Sequence, residues 1–192
     1  MEKPLPVILR ALEPEDLELL YTIENDPEVW DVTAIGAPCS RYALKQYVAS
    51  QQTLGECDQL RLVVALRDSS RAIGIVDLTD YDAIDRRAEI GIVLLRSERG
   101  KGYGAAALSL LEDYARDRLR LHSLLARSAT EGNDAALALF RSAGYEQAGT
   151  LKDWHYSKGK YSERLLYTSD AADEPPLVDL GGRSNNKKKK KQ

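Results

Sequence analysis

Seven stretches of the chain carry the hydrophobic pattern of β-strands, either apolar and polar residues in alternation or short apolar runs bounded by turn residues. Polar turns of a few residues join the second, third and fourth stretches, which are therefore expected to form three antiparallel strands. The fourth stretch is apolar on both faces, which is typical of a central strand covered on both sides. The predicted strands are residues 7–10, 60–66, 72–78, 88–95, 123–129, 145–152 and 163–167.

Four further stretches have apolar residues at helical spacing. Proline and acidic residues mark the start of the first, and a glycine marks the end of the last. The strand, helix, strand order in the second half of the chain implies a parallel crossover. The predicted helices run from Pro14 to a stop at residues 25–27, from an N-cap at Ser40, over residues 105–118, and from an N-cap at Asn133 to Gly144.

A glycine-rich loop, Arg-Gly-Lys-Gly-Tyr-Gly at residues 99–104, joins the apolar run 90–95 to the third helix. Its glycines let the backbone approach a ligand closely, and the helix adds unpaired N–H groups and the positive end of its dipole. A phosphate ester suits such a cradle. The loop lacks the Gly-Lys-Ser/Thr ending of a P-loop, and Ala105 and Ala107 break a GxGxxG spacing. The alternative is a loop that only turns the chain.

Composition indicates one protein domain. A chain of 192 residues that is 43% hydrophobic can bury one core, and a net charge of −3 gives no general attraction to nucleic acid or anionic membranes. No apolar run reaches the length of a membrane span, so we expect a soluble, cytoplasmic protein with free thiols at Cys39 and Cys57. Neither His122 nor His155 has a second ligand at a useful spacing, so no metal site is expected.

The last segment, residues 169–192, has a different composition. It is rich in Pro, Gly and polar residues and includes five consecutive lysines, so we expect disorder. It holds six basic and four acidic residues, which leaves the preceding domain, residues 1–168, with a net charge of −5. We expect the segment to be translated read-through of an adapter and an adenine run; a nucleic-acid contact through the lysines is the alternative.

An acidic and aromatic segment separates the first two helices. The functional interpretation is that this segment forms the entrance to the site for a cationic amine, because a polycation needs compensating carboxylates. The alternative is a solvated loop with one buried tryptophan. The candidate acceptor-binding residues are Glu24, Glu28, Trp30 and Tyr42, with Asp26 and Asp31 adding to the charge.

The order Arg-x-x-Gly-x-Gly after an apolar strand resembles the pyrophosphate-binding motif of the GCN5-related N-acetyltransferases (GNAT). The resemblance extends to residues 86–92 and 133–145 and covers roughly residues 5–167. By appearance the chain is similar to spermidine N-acetyltransferases and to the acetyltransferases of ribosomal-protein N-termini. This resemblance implies an α/β (α+β) fold with a mixed, mostly antiparallel sheet flanked by helices on both faces.

The resemblance also implies an enzyme that transfers an acetyl group from acetyl-coenzyme A to a primary amine. The acidic segment slightly favours a polyamine; alternatives are a protein N-terminus, such as that of a ribosomal protein, or a module that binds acetyl-coenzyme A without catalysis. No nucleic-acid or membrane partner is expected, and a homo-oligomer is left open. The implied cofactor-binding residues are Ile92, Val93 and Leu94 for the pantetheine arm, Arg99, Gly100, Lys101, Gly102, Tyr103 and Gly104 for the pyrophosphate, and Asn133, which is also a candidate helix cap.

Glu89 is the candidate general base, directly or through water; the alternative is a salt-bridged strand residue with Arg86 or Arg87 nearby. Phe140 stands where the family usually has a tyrosine that protonates the departing thiolate. Either another group serves as the acid or none is needed, so transfer is expected to be slower without being abolished. Tyr145 is expected in the core. A side chain at Gly102 is expected to fill the phosphate space and to weaken binding more than folding, and the same is expected at Gly104.

Overall fold

The computed structural model describes residues 4–30, 37–50, 54, 59–129, 133–157 and 159–170. The strands are β1 (Val7–Ala11), β2 (Leu60–Leu66), β3 (Ala72–Asp82), β4 (Arg87–Leu94), β5 (Ser123–Ala129), β6 (Glu146–Ser157) and β7 (Lys160–Asp170). The α-helices are α1 (Leu17–Glu24), α2 (Pro27–Trp30), α3 (Arg41–Ala49), α4 (Tyr103–Asp117) and α5 (Asp134–Ser142).

Every predicted strand and helix is present, and the caps explain where several helices begin and end. The Ala43 N–H donates to Ser40 Oγ at 3.1 Å, as expected of an N-cap. Gly144 has φ +89° just beyond α5, and the next N–H, that of Tyr145, returns to the Phe140 carbonyl at 3.0 Å. The short α2 was not predicted, because four residues are too few to show a helical period.

The seven strands form one sheet in the order β1-β2-β3-β4-β5-β7-β6. Strands β4 and β5 are parallel, and every other neighbouring pair is antiparallel. This confirms the mixed, mostly antiparallel sheet and places the parallel crossover through α4.

Two clusters of buried apolar residues cover the two faces of the sheet. On one face, α4 and α5 pack against side chains such as Val76, Ile90 and Leu124. On the other, α1, α2 and α3 pack around Ile75, with Val93 partly buried beside it. Since Ile90 and Val93 lie on the same strand with opposite parity, β4 is covered on both faces, as its apolar sequence predicted.

Strand β7 continues past the boundary predicted at Thr168. Ser169 and Asp170 pair with β5, so the folded domain includes them, while residues 171–192 lie outside the described residues. Cys39 carries a free thiol, and Cys57 also lies outside the described residues.

Candidate active site

Strands β4 and β5 separate after a short parallel contact. Their pairing covers only residues 87–89 of β4 and 123–125 of β5, although β4 continues to Leu94 and β5 to Ala129. On its other side, β4 remains paired with β3 as far as Leu94. Beyond Glu89, one main-chain edge of β4 therefore has no strand partner among the described residues.

The register shows which backbone groups face this gap. The Leu95 N–H donates to the Ile73 carbonyl at 2.9 Å, so the main chain of Leu95 faces β3. Backbone groups alternate sides along a paired strand, which directs Val93 to β3 as well and directs Ile92 and Leu94 to the gap. Of the three residues predicted to contact a pantetheine arm through their backbone, only two are thus oriented for it.

The glycine loop has the backbone conformation that its sequence predicts. Gly100 and Gly102 have φ values of +74° and +79°, in the left-handed region that favours glycine. A Cβ added at either position would have no protein atom within 4 Å. Gly102 is the N-cap of α4 and has no side chain to cap the first-turn N–H groups, which leaves them available to an anion.

Gly104 has a different reason to be glycine than the one predicted. It does not have a positive φ, and a Cβ there would lie 3.6 Å from Leu139 Cδ2 and 3.8 Å from Leu94 Cδ1. Those are ordinary packing distances inside the protein, so a side chain at Gly104 would point toward α5 and β4. The expectation that it would displace phosphate oxygens is wrong for Gly104 and stands for Gly102.

The long side chains of the loop are partly held by their neighbours. Arg99 Nε donates to the Leu94 carbonyl at 3.0 Å, and Lys101 Nζ lies 3.1 Å from Glu98 Oε2. About half of each basic side chain is exposed, 45% for Arg99 and 50% for Lys101. Tyr103 packs partly buried against the larger core. The loop therefore presents two fixed, accessible positive charges beside its glycines.

Asn133 occupies the N-cap position of α5, but its side chain does not cap the helix. Instead, its Nδ2 donates to Ser128 Oγ at 3.1 Å, and Ser128 is buried on the part of β5 that has separated from β4. The predicted capping bond is wrong. The Asn133 side chain is hydrogen-bonded to the part of β5 that has separated from β4. Of the two roles predicted for Asn133, contact with the cofactor remains.

Glu89 is an ion-paired strand residue. Its Oε2 lies 2.5 Å from Arg127 Nη2, and its side chain is 18% exposed. Arg127 also contacts Asp80 at 3.1 Å, and its pKa is raised chiefly by the hydrogen bond with Glu89. Arg87, one of the two predicted neighbours, bonds to Asp82 instead. The carboxylate is thus fixed at the point where β4 and β5 separate.

Two further side chains belong to this region and were not predicted. Arg164 of β7 is buried and places Nη2 3.3 Å from His155 Nδ1 of β6. The β5–β7 register puts Arg164 opposite Ala129 and on the same face as Arg127. No sequence signal marks them, because the strand order that brings β7 next to β5 cannot be derived from local pattern.

Glu24, a candidate for amine binding, is buried and paired. Arg61 Nη1 lies 2.6 Å from Glu24 Oε1, while Arg61 Nε and Nη2 donate to the two carboxylate oxygens of Asp77 at 2.7 and 3.0 Å. The two carboxylates and the guanidinium join α1 to β2 and β3. Glu24 is therefore unavailable to an acceptor, contrary to the prediction.

The acids that follow α1 are also compensated. Arg96 bonds Asp26 through two nitrogens, at 2.6 and 3.0 Å, and lies 2.7 Å from Glu28. Glu28 also lies 3.9 Å from Arg99 of the glycine loop. These ion pairs connect α2 to Arg96 and Arg99, at the start of the glycine loop. The arginines compensate the negative charge of Asp26 and Glu28, which leaves less of it to attract a polycation.

Trp30 and Tyr42 have separate surroundings. Trp30 Nε1 donates to the Glu24 carbonyl at 2.6 Å, which fixes α2 against the end of α1. Tyr42 is 72% exposed on α3, and its hydroxyl accepts from Gln46 Nε2 at 3.0 Å. Asp31 lies outside the described residues. The segment does not assemble its acidic and aromatic groups into one pocket among the residues described.

Phe140 and Tyr145 are both in the core. Their ring centroids are 5.3 Å apart with planes tilted by 58°, a favourable aromatic contact. Burial raises the pKa of the Tyr145 phenol, and burial also raises the pKa of the neighbouring Glu112 carboxyl to about 7. Tyr145 is thus the core residue that was predicted.

Two kinds of feature are absent from the described ranges. No group of three or more His, Cys, Asp or Glu side chains is arranged to hold a metal ion. No helix there is long and apolar enough to cross a membrane.

Comparison with known proteins agrees with this geometry. Residues 7–146 match the family model of the acetyltransferase (GNAT) domain. The spermidine N(1)-acetyltransferase of Vibrio cholerae is 25% identical over 162 residues, covering 81% of this chain and 87% of that protein. YdaF of Bacillus subtilis, provisionally named a ribosomal N-acetyltransferase, is 26% identical over 166 residues, covering 84% and 90%.

The fold is also similar to a solved structure. The spermidine N-acetyltransferase from Vibrio cholerae, determined in complex with CoA and spermine, superposes with a TM-score of 0.78 at 24% identity, covering 87% of this chain and 96% of that one. At this identity the superposition shows the fold alone. Because the family model spans most of the domain, the chain belongs to the GNAT acetyltransferases, enzymes whose acetyl donor is acetyl-coenzyme A.

Proposed function

We propose that this acetyltransferase acts on a primary amine and that β4 with the glycine loop holds acetyl-coenzyme A. The supporting observation is the course of one chain segment. Strand β4 has an open main-chain edge beside β5 and leads through the turn Arg96–Glu98 into the loop at the start of α4. In the cofactor the pantetheine arm is followed directly by the pyrophosphate. In the protein the open edge of β4 is followed in the same order by the glycine loop.

Each part of this segment has a group suited to its share of the cofactor. Ile92 offers its main-chain N–H and C=O groups to the pantetheine amides, as a neighbouring strand would, and Leu94 offers its N–H, since its carbonyl accepts from Arg99 Nε. The uncapped first turn of α4, a helix of 15 residues, favours the pyrophosphate. Arg99 and Lys101 add positive charge, and we retain Asn133 as a cofactor contact.

The reaction needs a neutral amine and a polarised carbonyl. Acetyl-coenzyme A supplies, when bound, an acetyl group activated as a thioester. We assign to Glu89 the removal of the proton from the amine, directly or through a water, because its carboxylate is fixed by Arg127 where β4 and β5 separate. A main-chain N–H of β4 facing the gap would donate to the carbonyl oxygen.

The named relatives support two acceptors for a first test, a polyamine and a protein N-terminus. The acidic segment gives less support to a polyamine than its sequence did, because Glu24, Asp26 and Glu28 are paired with arginines. A phenylalanine at position 140 keeps the non-catalytic module as the competing outcome.

Binding and turnover separate these possibilities. Titration calorimetry with acetyl-coenzyme A tests the cofactor site, and thiol release with spermidine and with an N-terminal peptide tests transfer. We expect saturable binding and release of coenzyme A with at least one amine. Absence of binding would refute the cofactor site, and binding without turnover across an amine panel would favour the non-catalytic module.

Glu89→Gln tests the general base. We expect kcat to fall about a hundredfold while the affinity for acetyl-coenzyme A is unchanged, because only proton removal is affected. Asp80→Asn is the matched control: Asp80 is the other partner of Arg127, it is 74% exposed, and its φ of +50° suits asparagine. A loss of kcat equal in both variants would mean that Glu89 acts only as a salt-bridge partner.

A further inference from the structure

A row of polar side chains crosses one face of the sheet beside the proposed transfer site. The strand registers place the row on the face that carries α1 and α3, with one residue from each of the adjacent strands β4, β5, β7 and β6. The row begins where β4 and β5 separate. Its members, in order across the sheet, are Glu89, Arg127, Arg164 and His155.

The row contains more positive than negative charge. Arg164 is only 8% exposed, and its guanidinium contacts an imidazole ring. The carboxylate of Glu89 is bonded to Arg127, whose second partner, Asp80, is 74% exposed at the rim. Within the described ranges, no carboxylate lies within ion-pair distance of Arg164. Buried charges are normally paired, so this guanidinium is arranged to receive an anion.

His155 supports the same conclusion through its hydrogen bonding. A guanidinium can only donate, so His155 Nδ1 must accept from Arg164, which places the ring proton on Nε2. That Nε2 is buried and has no hydrogen-bond partner among the residues that the structure describes. The imidazole contacts Arg164 without neutralising its charge, and His155 Nε2 is left as a buried donor that lacks an acceptor among the described residues.

The electrostatics of Arg164 agree with this interpretation. Burial is the main cause that lowers its pKa, the nearby Arg127 guanidinium adds to the lowering, and the Glu89 carboxylate opposes it. The same balance shows that Glu89 is close enough to influence Arg164. The attraction between a bound anionic group and the guanidinium would offset both unfavourable contributions.

Resting on the acetyl transfer proposed above, we infer that the acceptor is a small amine that also carries a carboxylate, which Arg164 binds. The planar fork of a guanidinium matches the two oxygens of a carboxylate, whereas it repels the ammonium groups of a polyamine. Strands β4 and β7 are separated by β5, so they lie about 10 Å apart at the backbone, from a spacing of about 4.8 Å per strand. Arg164 and Glu89 lie on the same face of the sheet at that separation, which suits an amine and a carboxylate joined by a short chain.

The wild-type enzyme tests this inference without any mutation. The probes are ω-amino acids from β-alanine to 6-aminohexanoate, each paired with its own amide, with spermidine and phosphoethanolamine as further arms. We expect kcat/KM to be at least about tenfold higher for the best acid than for its amide. A ratio near one, or a preference for spermidine or for the phosphate, would overturn the inference while leaving the acetyltransferase proposal intact.

Variants then assign the preference to Arg164. In Arg164→Gln, the acid-to-amide ratio is expected to fall to about one through a higher KM for the acid, while kcat/KM for the amide changes less than about twofold. Arg164→Lys keeps the charge without the fork and should retain part of the ratio, which provides a readout if the glutamine variant does not fold. Arg118→Gln, an exposed arginine beyond the end of α4, is the control and should keep the full ratio.

Three outcomes would contradict the assignment. A full acid preference in Arg164→Gln would place the carboxylate elsewhere. A rise in the KM for acetyl-coenzyme A equal to that for the acid would assign Arg164 to the cofactor. If no amine of any charge is acetylated although acetyl-coenzyme A binds, the proposed function fails and this inference fails with it.

Discussion

Gly102 is the residue at which the cofactor loop can be tested most directly. Valine at its φ of +79° is strained by roughly 1–2 kcal/mol, and its side chain would enter the open space in front of the loop. We expect Gly102→Val to weaken acetyl-coenzyme A binding at least about tenfold, equal to about 1.4 kcal/mol, and also to lower the melting temperature. Calorimetry and thermal unfolding measure the two effects.

A second glycine offers a matched control for that strain. Gly159, in the turn between β6 and β7, has a φ of +82° and equally open surroundings. Gly159→Val should lose similar stability and keep normal cofactor affinity. If the two variants bind acetyl-coenzyme A equally well, the glycines of the loop are there for the turn alone.

Glu112 predicts a pH dependence of stability. Its pKa is raised by burial to about 7 in the folded protein from an ordinary value of 4.5. The folded state therefore binds more protons than the unfolded state between these values, and stability falls as pH rises from 4.5 to 7. The free energy of unfolding falls by at most about 3 kcal/mol over this range, since each unit of pKa difference corresponds to about 1.4 kcal/mol.

Glu112→Gln should remove this slope and be the more stable protein at high pH. Urea unfolding at the two ends of the range measures it, with Asp117→Asn, an exposed acid at the end of α4, as control. A wild-type slope that persists in Glu112→Gln would assign the effect to another group.

At the scale of elements, the buried charges around Arg61 connect α1 to the sheet. Removing the guanidinium leaves Glu24 and Asp77 buried without a counter-charge, so we expect Arg61→Gln to lower the free energy of unfolding by about 3–5 kcal/mol. Arg41→Gln breaks a pair with Glu18 that is also doubly bonded but more than half exposed, and should lower the free energy of unfolding much less, because water already screens those charges. Equal losses in denaturant unfolding would mean that burial of the Arg61 pair contributes nothing.

Local pattern accounts for most of the elements, because each depends on residues close in the chain. Apolar runs located all seven strands, and Ser40 and Gly144 marked helix ends through bonds within a few residues. Cross-strand partners could not be predicted in this way. The contacts of Glu24 with Arg61 and of Glu89 with Arg127 join distant segments, and they depend on the strand order and register.

At the scale of the whole molecule, the end of the domain has a clear test. A chain ending at Asp170 retains every pairing of β7, whereas one ending at Thr168 loses the pairing of Ser169 with Leu124 and of Asp170 with Ser123. We expect the longer form to keep the melting temperature and activity of the full chain, and the shorter form to melt roughly 2–4 °C lower.

Comparing these two forms also tests the lysine-rich segment. We propose that residues 171–192 contribute nothing to folding or acetyl transfer. A loss of activity in the chain ending at Asp170 would contradict this, and DNA binding that is present only in the full chain would show that the lysines are responsible for it.

The separation of β4 from β5 has a consequence for amide hydrogen exchange. The N–H groups of Ile92 and Leu94 face the gap, while that of Val93 faces β3, so the free protein should exchange the first two faster although all three lie in one buried strand. Acetyl-coenzyme A should slow the exchange of Ile92 and Leu94 and leave Val93 nearly unchanged. If this alternation between neighbouring amides of one strand is present in the free protein and lost when the donor binds, a small molecule completes the sheet.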